Sequence, residues 1–352
     1  MSTSAFTIPT ATWSDPRRRE AFERWFAPIA QARGLRADTL RPASADASFR
    51  RYLRVSADDG SSLVIMDAPP PQENVRPFVH IAALIEAAGL HAPAVLERDV
   101  DQGFLLLTDL GDKLYLDALR EADSGAADRL MRDAVQALVR FQLGVKADSL
   151  PPYDEALLQR ELDLFPDWCV AREHGVQWSD GQREQWSRVC GLLIESALAQ
   201  PTVAVHRDYM PRNLMVAEPN PGILDFQDAV RGPITYDVVC LLRDAFLSWD
   251  EEREIDWAVR YWEQARQAGL PVDDDFGEFW RQLEWMGLQR HLKVLGIFCR
   301  LKHRDGKAKY VEDLPRFFSY ATKVAMRYVQ LQPLLPLIEP FSGNVLQAGY
   351  TF

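Results

Sequence analysis

The spacing of apolar residues changes once along this chain, after Asp109, and this change constrains the fold most strongly. Before it, RRYLRV and LVIM flank a turn at ADDGSS, and AVLERD and FLLLTDL flank a turn at Asp101–Gly103, which predicts two β-hairpins. After it, apolar residues recur at helical spacing over long segments. The sequence therefore predicts an α+β protein with a small N-terminal lobe and a larger, mainly helical C-terminal lobe.

Capping and stop signals place the individual helices. In the first helix, Ser14 can cap, Pro16 suits the first turn and Gly34 ends the run. A second helix is expected from Val75 to Ala88. The later helices are expected over residues 126–143, 154–174, 180–199, 235–249, 251–268, 275–303 and 310–330.

Composition narrows the class of protein. The 352 residues include 40 Lys and Arg against 51 Asp and Glu, a formal net charge of −11, which disfavours nonspecific binding to nucleic acid or anionic membranes. No apolar run approaches the length of a membrane span, and the first twenty residues contain no apolar signal segment. The four cysteines form no C-x-x-C pair. We therefore expect a cytoplasmic globular protein with no nucleic-acid or membrane partner.

One short region combines the side chains that phosphoryl transfer requires. The loop VHRDYMPRNLM contains Asp208 and, five residues later, Asn213, and Asp225 follows near the end of GILDF. Such a reaction needs an acceptor for the hydroxyl proton and oxygen ligands for Mg²⁺. Asp208 is therefore the candidate base, and Asn213 and Asp225 are the candidate Mg²⁺ ligands. Alternatively, Asp208 and Asn213 are turn residues and Asp225 closes a hairpin.

Four further residues lie within or beside these motifs. We expect His206 to be a packed, hydrogen-bonding residue rather than a catalyst, and Arg207 could lie at the surface. Asp228 could reach a sugar hydroxyl or cap Arg231, and the sequence leaves both readings open.

These motifs resemble those of a known family. The H-x-D-x-x-x-x-N loop and the Asp-Phe turn are similar to those of the aminoglycoside phosphotransferase/choline kinase superfamily. SADASFRRYLRV, VIMDAPPPQENVRPF, GFLLLTDLGDKLYLDAL, ILDFQDAVRGPITYD and QRHLKVLGIFCRLKHRDGKAKY further resemble the bacterial anomeric kinases of N-acetylmuramate and N-acetylglucosamine. The resemblance spans roughly Ser44 to Phe318.

The resemblance implies a bilobal protein-kinase-like fold, with a nucleotide-binding lobe over residues 1–108 and a catalytic and sugar-binding lobe over 109–352. It implies that ATP and Mg²⁺ are used to phosphorylate the C1 hydroxyl of sugars released in peptidoglycan recycling, feeding UDP-N-acetylmuramate synthesis. It also assigns the base to Asp208 and the Mg²⁺ ligands to Asn213 and Asp225.

The chain departs from the general kinase pattern in its small lobe. Kinases place a phosphate-binding Lys on the third strand, but the first lysine here is Lys113, and Met66 takes the usual position. Arg50, Arg51 and Arg54 lie on the strand that precedes that of Met66, and arginine can replace lysine as a phosphate clamp. The alternative is that these three arginines form a solvated strand face. Strand alternation places Arg50 and Arg54 on one face and Arg51 on the other. The candidate ATP-binding residues are Ser48, Arg50, Arg51, Arg54, Thr108 and Asp109.

A basic stretch near the C-terminus supplies candidate acceptor-binding residues. The segment between Gln289 and Tyr310 contains seven Lys and Arg residues and one acidic residue. N-acetylmuramate carries a carboxylate, so Arg290, His291 and Lys293, with Asp228 and Arg231, are the candidates for binding it. The alternative is a solvated basic helix face.

We therefore expect an ATP:sugar 1-kinase whose partners are ATP and an amino sugar, acting as a monomer, with a dimer left open. One alternative is a kinase for an aminoglycoside or an amino alcohol. Another is a nucleotide-binding pseudokinase, which the missing lysine favours and the intact set of Asp208, Asn213 and Asp225 opposes.

Overall fold

The computed structural model describes Trp13, residues 15–44 and residues 49–342. The chain divides into two compact units, Met1–Lys113 with Met215–Asp228, and Leu114–Leu214 with Ala229–Phe352. The segment Met215–Asp228, which carries Asp225, thus belongs with the N-terminal unit although it lies far along the chain. Within the described ranges, no helix is both long and apolar enough to cross a membrane.

The first unit contains an antiparallel sheet and two helices. Its elements before Lys113 are α1 Pro16–Arg33, β1 Leu35–Ser44, β2 Arg51–Ala57, β3 Ser62–Asp67, α2 Arg76–Ala87, β4 Val95–Asp99 and β5 Phe104–Thr108. The strands are arranged in the order β1-β2-β3-β5-β4. Phe22 and Phe26 of α1 pack against Leu53 and Val55 of β2 and Ile65 of β3. Strand alternation therefore gives β2 one apolar face toward α1 and a second face that carries Tyr52 and Arg54.

The second unit is mainly helical. Its helices are α3 Tyr115–Glu121, α4 Ser124–Gly144, α5 Glu155–Leu162, a π-helix Phe165–Glu173, α6 Asp180–Leu198, α7 Tyr236–Leu242, α8 Glu251–Gln267, α9 Phe276–Asp305, α10 Leu314–Arg327 and α11 Leu335–Ile338. Its strands β6 Thr202–Val205 and β9 Val230–Pro233 pair with each other, and two short strands at the segment Met215–Asp228, β7 Leu214–Met215 and β8 Gly222–Ile223, form a separate pair. The 30-residue α9 is buried along most of its length, and α5, α7 and α10 pack against it.

The start of α1 differs in detail from its prediction. Pro16 occupies the first turn and Gly34 ends the helix with a left-handed φ of 60°, as expected. The capping side chain, however, is Asp15, which accepts the N–H of Arg17 at 2.9 Å. Ser14 lies outside the described residues.

Two other helix predictions are corrected by the structure, and one strand was missed. The helix predicted over 235–249 is wrong in length, because α7 ends at Leu242 and Arg243 leaves the helical conformation. The helix predicted over 154–174 is divided into α5 and the π-helix. The strand β1 was not predicted, because its register with β2 is irregular and Pro42 lies within it, so its sequence lacks a clean alternation.

Candidate active site

The turn that carries Asp208 follows β6 and is fixed by a buried carboxylate. Arg207 has a φ of 74°, a conformation that costs free energy for a residue with a side chain and must be held by its surroundings. Asp237, in α7, accepts the backbone N–H groups of His206 at 2.6 Å and Arg207 at 3.0 Å. Burial raises the pKa of Asp237 to about 7, although both N–H donors act to lower it. Asp237 therefore anchors the turn immediately before Asp208.

The loop itself brings Asp208 and Asn213 together. Pro211–Asn213 forms a 3₁₀ turn, and Nδ2 of Asn213 donates to the backbone carbonyl of Asp208 at 2.9 Å. The backbone N–H of Met210 donates to the same oxygen, also at 2.9 Å. Because Nδ2 is a donor to the backbone, the amide oxygen is the atom through which Asn213 can bind a metal. Asn213 is buried, whereas Asp208 is partly exposed, as a residue that meets a substrate must be.

The two residues before Asp208 have structural surroundings. His206 is buried, its ring packs against two aromatic rings, and its Nδ1 lies 3.3 Å from the donating backbone N of Asp208. This is the packed role that the sequence favours. Arg207 does not lie free at the surface, because its Nη2 donates to Glu161 at 2.6 Å.

Glu161 of α5 is the centre of a buried ionic cluster next to this loop. Its Oε1 lies 2.6 Å from Nη2 of Arg207 and 2.8 Å from Nζ of Lys293. Tyr153 donates its hydroxyl to Oε2, and Lys293 also donates to the hydroxyl of Tyr236 at 2.9 Å. Burial raises the pKa of Glu161, but the two cations and the donated hydrogen bonds outweigh it and lower that pKa to about 2. The cluster connects the loop that carries Asp208 to α5 and α9.

Two of the predicted acceptor residues lie in the electrostatic neighbourhood of Asp208. Arg290 and Lys293, three residues apart on α9, are both buried. Burial disfavours their charged forms, but nearby acidic groups outweigh it and raise the pKa of both side chains, chiefly Cys240 and Tyr236 for Arg290 and Tyr236 and Glu161 for Lys293, with a smaller effect of Asp208. Lys293 is also joined to the loop that carries Asp208, because it shares Glu161 with Arg207.

The other predicted acceptor residues of the second unit lie elsewhere. His291 is fully buried, its ring stacks on Tyr320 with the centroids 4.8 Å apart, and burial lowers its pKa well below 6.5. Arg231 is exposed, and its Nη1 lies 3.0 Å from Oδ1 of Asp148. The structure thus places neither residue in the ionic cluster around Glu161.

Asp225 occupies a strained turn in the first unit. Its φ is 59°, and the next residue, Phe226, is buried against Phe78 with ring centroids 4.6 Å apart. Gln227 donates to Oδ1 of Asp225 at 2.9 Å, and Nη2 of Arg50 lies 3.9 Å from the same oxygen. Packing of the phenylalanine and the amide contact together orient the carboxylate.

Two of the three predicted phosphate-binding arginines, Arg51 and Arg54, form short ion pairs with carboxylates. Nε of Arg51 donates to the fully buried Asp67 at 3.0 Å. Arg54 reaches Asp109 at 2.6 Å through Nε, and its Nη2 donates to the carbonyl of Gly111, also at 2.6 Å. Burial raises the pKa of Asp109, but its hydrogen bonds and the charge of Arg54 outweigh this and lower it.

The remaining predicted nucleotide residues lie at the end of β5 or outside the described ranges. Thr108 accepts the backbone N–H of Ala94 through Oγ1 at 2.9 Å, and with Asp109 it borders a cavity of about 620 Å³ formed with α2 and β4. Asp228 is exposed and accepts the side chain of its neighbour at 3.3 Å. Ser48 lies outside the described residues.

The donor set limits how a metal ion could be held. Across Trp13, 15–44 and 49–342, no group of three or more His, Cys, Asp or Glu side chains is arranged to hold one. Mg²⁺ usually takes only one or two carboxylates and completes its shell with water and substrate phosphates. Asp225 offers a carboxylate and Asn213 an amide oxygen, and both are donor types that such a coordination shell takes.

Sequence reasoning did not identify Asp237 or Glu161. It also did not identify Glu73, whose Oε2 lies 3.6 Å from Nε of Arg50. An acidic residue inside the apolar run ITYDVVCLL is the signal that could have pointed to Asp237. Glu161 and Glu73 lie among other charged or polar residues and carry no such signal.

A protein-family model described as "Phosphotransferase enzyme family" matches residues 39–276. The chain belongs to this family. It is 54% identical over 313 residues to a Pseudomonas putida protein named N-acetylmuramate/N-acetylglucosamine kinase, covering 89% of this chain and 90% of that protein. A protein of the same name from Neisseria meningitidis serogroup B is 48% identical over 312 residues, covering 88% and 93%.

Solved structures share the fold at low sequence identity. A Plasmodium vivax ethanolamine kinase aligns with a TM-score of 0.60 at 11% identity, covering 88% of this chain and 89% of that chain. An ADP-bound aminoglycoside phosphotransferase aligns with a TM-score of 0.57 at 13% identity, covering 88% and 99%. The family and the kinase-like α+β fold expected from the sequence are confirmed.

Proposed function

We propose that this protein is an ATP-dependent kinase that phosphorylates the anomeric C1 hydroxyl of N-acetylmuramate and N-acetylglucosamine, in a recycling step that feeds UDP-N-acetylmuramate synthesis. The observation that carries the proposal is the position of Asp208 on a loop that Asp237 holds, next to Arg207, which shares Glu161 with the buried Lys293. Relatives that are 48–54% identical and are named for both sugars support this acceptor.

In this proposal Asp208 accepts or orients the proton of the C1 hydroxyl while that oxygen attacks the γ-phosphorus of ATP in line, and the bond from that phosphorus to the bridging oxygen breaks to release ADP. A hemiacetal hydroxyl is more acidic than an ordinary alcohol, so the position of the carboxylate matters more than its basicity. The hydrogen bonds from the loop backbone to Asp237 supply that positioning.

Asn213 and Asp225 are the proposed protein ligands of Mg²⁺. A bound Mg²⁺ ion would neutralise negative charge on the transferring phosphoryl group. Thr108 and Asp109 are proposed to border the adenine at the end of β5, where the cavity already noted lies.

Two buried cations, Arg290 and Lys293, are the proposed partners of an anionic acceptor. Lys293 shares Glu161 with Arg207, and the charge of Arg290 interacts with Asp244 and Asp208, so positive and negative charges are nearly balanced here before an acceptor binds. The lactyl carboxylate of N-acetylmuramate is proposed to interact with these cations, and a competition of anionic against cationic acceptors tests this choice.

Phosphorus NMR of the purified protein with Mg·ATP and N-acetylmuramate tests the proposal. We expect a new sugar-1-phosphate doublet and loss of the reducing end, with the same result for N-acetylglucosamine. Turnover with cationic acceptors alone would overturn the sugar assignment. Nucleotide binding without turnover on any acceptor would instead establish a pseudokinase.

The role of Asp208 is tested by Asp208→Asn. We expect kcat to fall by about 10²–10⁴-fold, the usual contribution of a positioned acid or base, while the dissociation constant of ATP stays unchanged. Asp180→Asn, which changes an exposed carboxylate of the same unit, is the matched control. Wild-type turnover in Asp208→Asn would refute the mechanism.

A further inference from the structure

The five-stranded sheet of the first unit carries no lysine that could bind the phosphates of a nucleotide. The first lysine of the chain is Lys113, at the end of that unit's main segment, and Met215–Asp228 contains none. Protein kinases hold the α- and β-phosphates with a lysine on the third strand, paired with a helix glutamate. Here the third strand carries Met66, which is buried and uncharged.

Two of the three arginines on or next to β2 already neutralise buried carboxylates. Arg51 shares the fully buried Asp67 with Arg18, whose Nε donates to it at 2.8 Å. Arg54 contacts Asp109 through both Nε and Nη2. Moving either arginine to a phosphate would weaken the pairing of a buried carboxylate, which is costly.

Arg50 has a different environment. Its Nε lies 3.6 Å from Oε2 of Glu73, and its Nη2 lies 3.9 Å from Oδ1 of Asp225. Both carboxylates are partly exposed, at 19% and 40%, unlike those of Asp67 and Asp109, so a shift of this guanidinium toward a phosphate leaves no carboxylate buried and unpaired. The other oxygen of Glu73 accepts the backbone N–H of Phe49 at 3.3 Å. Glu73 therefore contacts both the side chain of Arg50 and the backbone next to it.

Strand register relates Arg50 to the missing lysine. Tyr52 of β2 lies opposite Met66 of β3, and Arg50 precedes Tyr52 by two residues. Residues two apart share a face of a strand and are separated by about 7 Å along it. A long arginine side chain from this position can reach the face where the lysine of other kinases lies.

We propose that Arg50 is the phosphate-binding cation of the nucleotide site, replacing the strand lysine, and that Glu73 is the positioning residue that holds it beside Asp225. The inference rests on the proposed function, because it assumes that the nucleotide is a substrate. A guanidinium can bind two phosphate oxygens on one edge while a carboxylate holds another edge. An arginine that directly precedes β2 thus performs the task of a lysine from β3.

Equilibrium binding of ATP, ADP and adenosine, measured by calorimetry, tests this assignment without relying on turnover. We expect Arg50→Gln to weaken ATP and ADP binding by about tenfold to hundredfold, because a charged hydrogen bond is lost, and to leave adenosine binding unchanged. Arg50→Lys restores part of the affinity. Arg76→Gln, which changes an exposed arginine of the same unit, is the matched control and keeps wild-type affinity.

Glu73→Gln tests the positioning role. We expect ATP affinity to fall by about threefold to tenfold, and no further loss when Glu73→Gln is added to Arg50→Gln, because Glu73 acts through Arg50. Urea unfolding of each variant checks that the fold is retained.

Three results would overturn the inference: unchanged ATP affinity in Arg50→Gln, an equal loss of adenosine affinity, or additive losses in the double variant. These results are distinct from failure of the proposed function. A wild-type protein that binds ATP but phosphorylates neither sugar refutes that function alone, whereas one that binds no ATP refutes both.

Discussion

Glu161→Gln perturbs the buried ionic cluster that joins the proposed catalytic loop, which carries Asp208, to α5 and α9. The substitution keeps the shape of the side chain but removes the negative charge that pairs with Arg207 at 2.6 Å and Lys293 at 2.8 Å. Both cations then remain largely buried without their shared carboxylate. We therefore expect the variant to fold less stably and its catalytic loop to be held less firmly.

The size of the effect follows from two independent arguments. The pKa of Glu161 falls from its usual 4.5 to about 2, which corresponds to roughly 3 kcal/mol at about 1.36 kcal/mol per pH unit. Removing one partner of a buried ion pair costs about 3–5 kcal/mol in other proteins. We expect Glu161→Gln to lose about 3 kcal/mol of unfolding free energy at pH 7.

The sign of the pH dependence is also defined. Because the folded-state pKa of Glu161 lies below its unfolded value, its contribution is fully present above pH 4.5 and is lost as the pH falls toward 2. The stability difference between wild type and Glu161→Gln should therefore be constant above pH 5 and narrow as the pH falls below 4.5.

Urea unfolding monitored by far-ultraviolet circular dichroism, from pH 7 down to pH 3, measures both quantities. Glu184→Gln, which removes an exposed carboxylate paired with Arg188 at 3.2 Å, is the matched control and should change stability by less than about 0.5 kcal/mol. If Glu161→Gln loses no more stability than this control, or if the difference from wild type does not narrow in acid, the cluster does not stabilise the fold as argued.

Two further predictions concern packing and the catalytic loop. Gly296→Ala should lose about 1–3 kcal/mol of unfolding free energy, because its Cβ would lie 2.4 Å from the backbone of Leu164, whereas Gly191→Ala, with nothing within 4 Å, should gain about 0.4–1 kcal/mol; equal urea midpoints would contradict this. Asp237→Asn should lose about 1–3 kcal/mol and lower kcat, because an amide NH₂ would face a backbone donor; unchanged kcat and midpoint would refute its anchoring role. Since the pKa of Asp237 is raised from 3.8 to about 7, its contribution to wild-type stability is largest below pH 3.8, falls as the pH rises from there to about 7 and is constant above, and this dependence should vanish in Asp237→Asn.

Local sequence signals predicted much of the fold because they act within a few residues. Pro16 and Gly34 fix the ends of α1 through a preset φ and a left-handed conformation, and these effects need no distant partner. The helix predicted after residue 234 failed at Arg243 for the opposite reason. This arginine is drawn into buried ion pairs with Glu254 at 3.1 Å and Glu284 at 3.0 Å, and both partners lie on other helices.

The candidate site divides in the same way. The spacing of Asp208 and Asn213 was readable because one short loop brings the two residues together. The sequence by itself thus determined the family and the type of reaction, and it predicted the pair of residues that this loop brings together. It could not determine which arginine next to β2 faces which carboxylate, since Arg50, Arg51 and Arg54 carry the same charge.

Only the tertiary structure distinguished these arginines. Asp67 and Asp109 lie 16 and 55 residues beyond the arginines they bind, and Asp225 lies 175 residues beyond Arg50, so no local pattern records the pairings. A buried carboxylate binds the cation that packing places beside it, because leaving either charge unpaired in the interior is costly. The distribution of charge around the site is therefore a property of the folded chain.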